Sequence, residues 1–470
     1  MVYDYIIIGS GPSGGTLAWH LHKDGAKVLV LEAGKFFKKD TFPRNEADTS
    51  AWLYWGGGIE FDETAKMAFL RSKVVGGTSI VNQCLLDRFD SSALDEWKDI
   101  SGVDFFSVEN MTPYYEELES KLKLHTFGPD ERNRNAQLFV KACEALGHQW
   151  HNLRKGQDDC AFHRGNDCMA CLGGCHRNSK QSSLAAFILE SVAEGLELVP
   201  EVMVEEIVPG ETVKVNAVKQ GTKVSYSAKN LILAGGSFGT TQLMLKSGFG
   251  KQFAALGKYF SSHPQFMSFG ILDEPINAHK GYFQTVASKD SVMRKDGYKL
   301  ENVFAPPISL ALLFRETGKS HQEFMKKYTY LTNIEVAIRD ENTGQIKVDR
   351  KGKLVVQKNL TEQDKRRRDK GLETVKNILH AEGSKEIYQS SFYFGLHLMG
   401  GCTMGTDPAK SVVDPEFRVH GHRNIYIADS SVFPSAPGIN PSLTVMALSQ
   451  KLSNQLTQRK HVKVFEQVGA

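Results

Sequence analysis

"YDYIIIGSGPSGGTLAWHLHKDGAKVLVLEAG", residues 3–34, holds an apolar run, a glycine-rich turn, a helical segment and a second apolar run that closes on an acid. That order predicts a βαβ unit. Gly9, Gly11 and Gly14 fill the three positions of G-x-G-x-x-G. The first glycine permits the tight turn, the second lets backbone approach a pyrophosphate, and the third lets helix and strand pack closely. Glu32 ends the second strand, where a carboxylate can hydrogen-bond a ribose hydroxyl. The stretch reads as a dinucleotide-binding fingerprint.

Working outward, residues 197–237 alternate short apolar runs with turn residues and predict an antiparallel meander returning to a parallel strand, "NLILAGG". Between 262 and 390, "QFMSFGILD", "YLTNIEVAIRD" and "KLVVQ" read as strands, followed by a helix carrying the basic run "KRRRDK" on a solvated face. "RNIYIAD" near the C-terminus is again strand-like. The fold class expected is α/β: a doubly wound, three-layer, Rossmann-like nucleotide domain from residues 1–261 and 391–470, with a second α+β domain on an antiparallel sheet from 262–390. A cysteine-rich insert near 150–180 interrupts the first.

The 470 residues have a formal charge of +3, with basic and acidic residues interspersed, which argues against nucleic acid as a partner. There is no run of eighteen apolar residues, so no transmembrane segment is expected. Only Met1 to Tyr3 precede the first strand pattern, and a cytoplasmic location with reduced thiols is expected.

Four stretches resemble the glucose-methanol-choline family of flavin oxidoreductases, with motif text nearest its cholesterol oxidase-like branch. They are the fingerprint, "RSKVVGGTSIVN" (71–82), "GGSFGTTQLMLKSGFG" (235–250) and the block from Gly395 to Gln450. In the third, Thr241 stands where the family usually has Pro or Ser. The resemblance implies FAD bound without a covalent link, because the second stretch contains no histidine. Its pyrophosphate would lie at the first helix N-terminus, against Gly9, Gly11, Pro12, Ser13 and Gly14, with Glu32 and Ala33 beside the ribose. Gly76, Gly77, Thr78, Ser79 and Asn82 would contact the isoalloxazine. Val204 resembles the valine at the adenine, Ala234 ends the returning strand against the cofactor, and Asp429 resembles the residue near ribityl and pyrophosphate.

In the family, the positions of His397 and Asn440 hold the catalytic pair. Carried over, His397 accepts the hydroxyl proton while the carbon-bound hydrogen leaves as hydride to the flavin, and Asn440 orients the substrate oxygen. Asn440 followed by Pro441 also reads as an N-cap with proline at the first helical position, placing that helix's positive end by the flavin. His263 reads as structural and Cys402 as a packed interior thiol. The implied activity is oxidation of a primary or secondary alcohol to a carbonyl, on a sterol-like or other hydrophobic substrate, with molecular oxygen or an acceptor protein reoxidising the flavin. The alternatives are a sugar or aminosugar dehydrogenase and, from another class, a flavin-dependent lyase or photodecarboxylase. "CMACLGGCHRNSK" (168–180) offers Cys168, Cys171 and Cys175, with Cys160 upstream, either as ligands of an iron-sulfur cluster or metal or as reduced thiols shaping a loop near the FAD.

Overall fold

In the computed structural model, residues 1–160, 171–282, 284–288 and 290–458 are described. Val2–Ile8 and Val28–Leu31 lie parallel, with Pro12–Lys23 as the helix between them, so the fingerprint folds as its spacing predicts. Ile6, Ile7, Leu29 and Val30 are fully buried, as expected of strands covered on both faces.

The parallel part of this first sheet runs Glu197–Val199, Val28–Leu31, Val2–Ile8, Thr222–Leu233, Ile425–Ile427. Thr222–Leu233 is long enough for two jobs. Its beginning pairs antiparallel with Val213–Lys219, which pairs in turn with Val202–Val208, while Leu231–Leu233 pairs parallel with Ile425–Ile427. The predicted meander and both returning strands are therefore present. The C-terminal helix, Ser442–Leu456, packs along the fingerprint helix and buries Leu443, Ala447 and Leu448 in the core that also holds Leu17 and Leu21.

The second sheet is antiparallel at its centre, where Pro264–Ile271, Leu331–Ile338 and Tyr298–Asn302 lie side by side. Its outer strands, Glu60–Phe61, Met67–Phe69, Tyr393–Gly395 and Trp150–Asn152, come from outside residues 262–390. Successive side chains on a strand point to opposite faces. Ile334 and Val336 turn one way and pack on the helices Arg134–Ala145 and Glu362–Ala381. Asn333 and Glu335 turn the other way, into a cavity between the two sheets. "KLVVQ" forms a strand as expected, outside the large sheet. Leu354–Gln357 joins a separate hairpin with Gln345–Val348, closed by Asp349, whose carboxylate accepts from the amides of Lys351 and Lys353. The basic helix starts at a capping box of Thr361 and Asp364, and Lys365, Arg366 and Lys370 pair at the surface.

Candidate active site

A single cavity of about 1170 Å³ is lined at one end by the fingerprint and at the other by the second sheet. Gly9 sits at φ +100°, and a Cβ there would lie 2.5 Å from the Ala234 carbonyl oxygen. At Gly14 a Cβ would lie 1.9 Å from the Gly9 oxygen. The turn and the close helix-strand approach thus both need glycine. Gly9, Gly11, Pro12, Ser13, Glu32 and Ala33 all line the cavity, whereas Gly14 acts behind it as packing. The fingerprint helix has no side-chain cap and no acid in its first turn, and the buried Ser13 Oγ has no partner among the described residues. Such a helix start, with bare amides and an idle hydroxyl, suits a pyrophosphate.

Glu32 is tied in place by three donors, Ser10 N at 3.0 Å, Ser10 Oγ at 2.7 Å and Gly34 N at 2.8 Å. Burial nevertheless raises its pKa. Gly77 comes so close to Gly11 that a Cβ on it would stand 2.6 Å from the Gly11 Cα, so fingerprint and second stretch meet backbone to backbone. Gly77, Thr78, Ser79 and Asn82 line the cavity; Gly76 does not, and instead donates its amide to Ser10 Oγ at 2.9 Å. Val204, Ala234, Asp429 and Pro441 also line it. Asp429 accepts from Gly236 N (2.8 Å), Thr240 Oγ1 (2.5 Å) and Ser431 N (2.8 Å), which locks the ends of two parallel strands together. These residues fit an FAD.

His397 and Asn440 are brought to the same cavity although 43 positions separate them in the chain. Two findings change their expected surroundings. Asn440 is not a cap: the C-terminal helix begins at Ser442 with Pro441 at the capping position, and Asn440 Oδ1 instead accepts from Lys299 Nζ. That leaves the Asn440 Nδ2 group as its donor side. His263, read as structural, touches the pair: its Nδ1 lies 2.9 Å from His397 Nδ1.

The tautomers of this pair follow from one backbone amide. Gly438 N donates to His263 Nε2 at 2.8 Å, so that nitrogen is bare and His263 carries its proton on Nδ1. His263 therefore donates to His397 Nδ1, and neutral His397 carries its proton on Nε2. Burial lowers the His263 pKa well below 6.5, with the neighbouring His397 second. Burial, then Lys299, lowers that of His397 to about 3. Both rings are neutral at pH 7.

Beyond Asn440, Lys299 Nζ also binds Glu301 Oε1 at 2.6 Å, and Gln284 Nε2 donates to Glu301 Oε2 at 2.7 Å. Glu335 lies directly across the strands from Glu301 and is 3% exposed. The sequence reading missed Lys299, Glu301 and Glu335; the signal was there in "YKLEN" and "NIEVAI", where charged residues interrupt apolar alternation.

The cysteine-rich stretch borders the cavity through Leu172 and Gly173. Cys168 lies outside the described residues. Cys171 and Cys175 are half-buried, and Cys160 Sγ lies 2.8 Å from Tyr282 OH. Among the described residues, no three His, Cys, Asp or Glu side chains converge as metal ligands. What closes the stretch is Lys180, also missed from sequence. It is fully buried and donates to the carbonyls of Ile80 (2.5 Å), Asn82 (2.9 Å) and Cys171 (2.6 Å), tying the insert to the second stretch. Burial lowers its pKa. Cys402 is buried against Thr241, as expected. No helix among the described residues is long and apolar enough to cross a membrane.

A dinucleotide fingerprint opening into a cavity that ends in a His-Asn pair defines a nucleotide-dependent oxidoreductase. Residues 3–265 and 340–449 match the two GMC oxidoreductase family models. The chain belongs to the GMC oxidoreductase family and is an FAD-dependent oxidoreductase acting on CH-OH donors. It is 24% identical to the long-chain-alcohol oxidase FAO4B of Arabidopsis thaliana over 96% of this chain and 67% of that one. It is 25% identical to the oxygen-dependent choline dehydrogenase of Staphylococcus saprophyticus over 97% of this chain and 95% of that one. A crystal structure of pyridoxine 4-oxidase from Mesorbium loti superposes with a TM-score of 0.74, covering 98% of this chain and all of that one, at 16% identity. At that identity the likeness speaks for the fold alone.

Proposed function

We propose that the protein oxidises a primary or secondary alcohol to a carbonyl, binding the hydroxyl oxygen between His397 and Asn440. FAD, held non-covalently by the fingerprint, the 71–82 loop and Asp429, supplies the hydride acceptor. The hydroxyl proton is released to water. The observation that carries the reading is one cavity shared by the dinucleotide cradle and the His397-Asn440 pair.

The family resemblance casts His397 as the proton acceptor, a role that needs a bare nitrogen facing the substrate. The Gly438-His263-His397 chain supports a different division of labour. His397 Nε2 and Asn440 Nδ2 both donate to the substrate oxygen, holding the carbinol carbon in place and stabilising the charge that grows on oxygen as its proton departs. Protonating His397 on Nδ1 would set two N–H groups against each other.

The walls supplied by Leu70, Met267, Phe269, Phe304, Phe392 and Phe394 favour an alcohol with an apolar body, sterol-like or long-chain. A sugar or aminosugar is the second reading, favoured by the polar side chains of Gln265, Asn333 and Glu335 in the same cavity. The test is anaerobic bleaching of the flavin absorbance by an alcohol panel. At least one alcohol bleaches it in the wild type; His397→Gln, which keeps a donor, retains more of the rate than His397→Ala. No bleaching by any alcohol refutes the oxidation and leaves the lyase class.

A further inference from the structure

Lys299 takes no part in the oxidation proposed above, yet its ammonium donates to Asn440 Oδ1. It lies on the strand Tyr298–Asn302, where Tyr298 and Leu300 turn into the core shared with the helices Arg134–Ala145 and Glu362–Ala381. Successive strand residues alternate, so Lys299 and Glu301 turn the other way, and Glu301 lines the cavity. Glu301 Oε1 accepts from Lys299 Nζ at 2.6 Å, and Gln284 Nε2 donates to Glu301 Oε2 at 2.7 Å. Gln284, Glu301, Lys299 and Asn440 thus form a row in which each side chain is bonded to the next.

Stability gives little reason for such a row. The Lys299 and Glu301 side chains are 17% and 3% exposed. Taking two charges out of water offsets much of their attraction, and well-packed apolar residues of similar volume often serve as well. The amide at the end of the row gives a better reason. The two ends of an asparagine amide are nearly alike in shape, and only their partners distinguish them. An ammonium carries three donors and no acceptor, so it engages Oδ1 and never Nδ2. This is the one hydrogen bond that the Asn440 side chain makes among the described residues. Nδ2 is therefore the end left to the cavity that Asn440 lines. Charge on the acceptor end of an amide also strengthens the N–H groups at the other end. The Lys299 charge reaches His397 as well, where it is second to burial in lowering the ring's pKa.

We propose that Lys299 is a positioning residue of the oxidation site: it locks the Asn440 amide with Nδ2 toward the substrate oxygen, and Glu301, braced by Gln284, fixes the ammonium that does so. Without Lys299 the amide can turn its own oxygen to the substrate, where an oxygen gathering negative charge is repelled instead of held. In this role Lys299 acts through Asn440 alone.

The role rests on the alcohol-oxidation reading, and a double-mutant cycle separates the two. The FAD-loaded enzyme is reduced anaerobically by butanol, hexanol, dodecanol and benzyl alcohol, and the alcohol that bleaches the wild-type flavin fastest serves for every variant. Lys299→Met slows the limiting rate of bleaching by about 10- to 100-fold, the worth of one charge-assisted hydrogen bond. In Asn440→Ala, where His397 remains as a donor and single-turnover reduction continues slowly, the same substitution costs less than about threefold. Equal losses with and without Asn440 overturn the role while leaving alcohol oxidation standing, because Lys299 then acts by packing or by its charge directly. So does a Lys299→Met enzyme that bleaches at the wild-type rate. Should Lys299→Met not retain flavin, since it leaves Glu301 buried and unpaired, Lys299→Met/Glu301→Gln decides, because it removes both charges. A loss of about 10- to 100-fold in that variant supports the role, and bleaching at the wild-type rate overturns it. If no alcohol reduces the wild-type flavin, both readings fall.

Discussion

His397→Gln provides a measurement of how strictly the site keeps its histidine neutral. Burial holds the His397 pKa near 3, against about 6.5 in the unfolded chain. Above pH 6.5 the ring is neutral in both states and contributes nothing to the pH dependence. As pH falls below 6.5 the unfolded chain takes up a proton that the folded site refuses, so stability is lost, by about 1.4 kcal/mol per pH unit until the folded pKa is reached. His397 is only half-buried, with one side on the cavity. The upper part of that window is the one to measure. Between pH 6.5 and pH 5 the wild type loses about 2 kcal/mol through His397. Glutamine does not titrate, and His263 and the buried carboxyls remain in both proteins, so their contributions cancel to first order in the difference. The assay is urea unfolding of wild type and His397→Gln at pH 6.5, 6.0, 5.5 and 5.0, followed by fluorescence and circular dichroism together to check that one transition is observed. The stability advantage of the wild type shrinks steadily toward acid. A pH-independent difference, or one growing toward acid, refutes a buried neutral His397 and with it the donor assignment.

Gly14→Ala places a methyl group where the Gly9 carbonyl already stands, 1.9 Å from its oxygen. The purified variant loses bound FAD, read as the ratio of flavin to protein absorbance. Lys180→Met leaves the carbonyls of Ile80, Asn82 and Cys171 without their donor. It costs about 2–4 kcal/mol and lowers the thermal midpoint while speeding FAD dissociation, because Ile80 and Asn82 belong to the loop proposed to hold FAD.

Much of the nucleotide-binding part was legible because its signals are local. The turn glycines, the strand lengths and the acid after the second strand each depend on neighbours within a few residues, and the structure puts Gly9, Gly11 and Glu32 around one cavity. "KLVVQ" shows the limit of local signals. Its strand propensity was legible, but not its partner, which is the preceding strand across a tight turn and not the large sheet. Asn440 shows another. Asn-Pro before a helical run is a good cap by sequence, yet a lysine 141 positions away captures its side-chain oxygen and the helix starts without it.

By itself the sequence determined the βαβ fingerprint, the returning strands and the two ends of the chain that meet at the cavity. These follow from periodicity and from glycines whose backbone no other residue can adopt. Only the tertiary structure decided how the side chains at the far end of the cavity are held. The proton position on His397 is set by the Gly438 amide acting through His263. Proton placement and polar satisfaction are properties of neighbours in space, and those neighbours come from strands far apart in the chain.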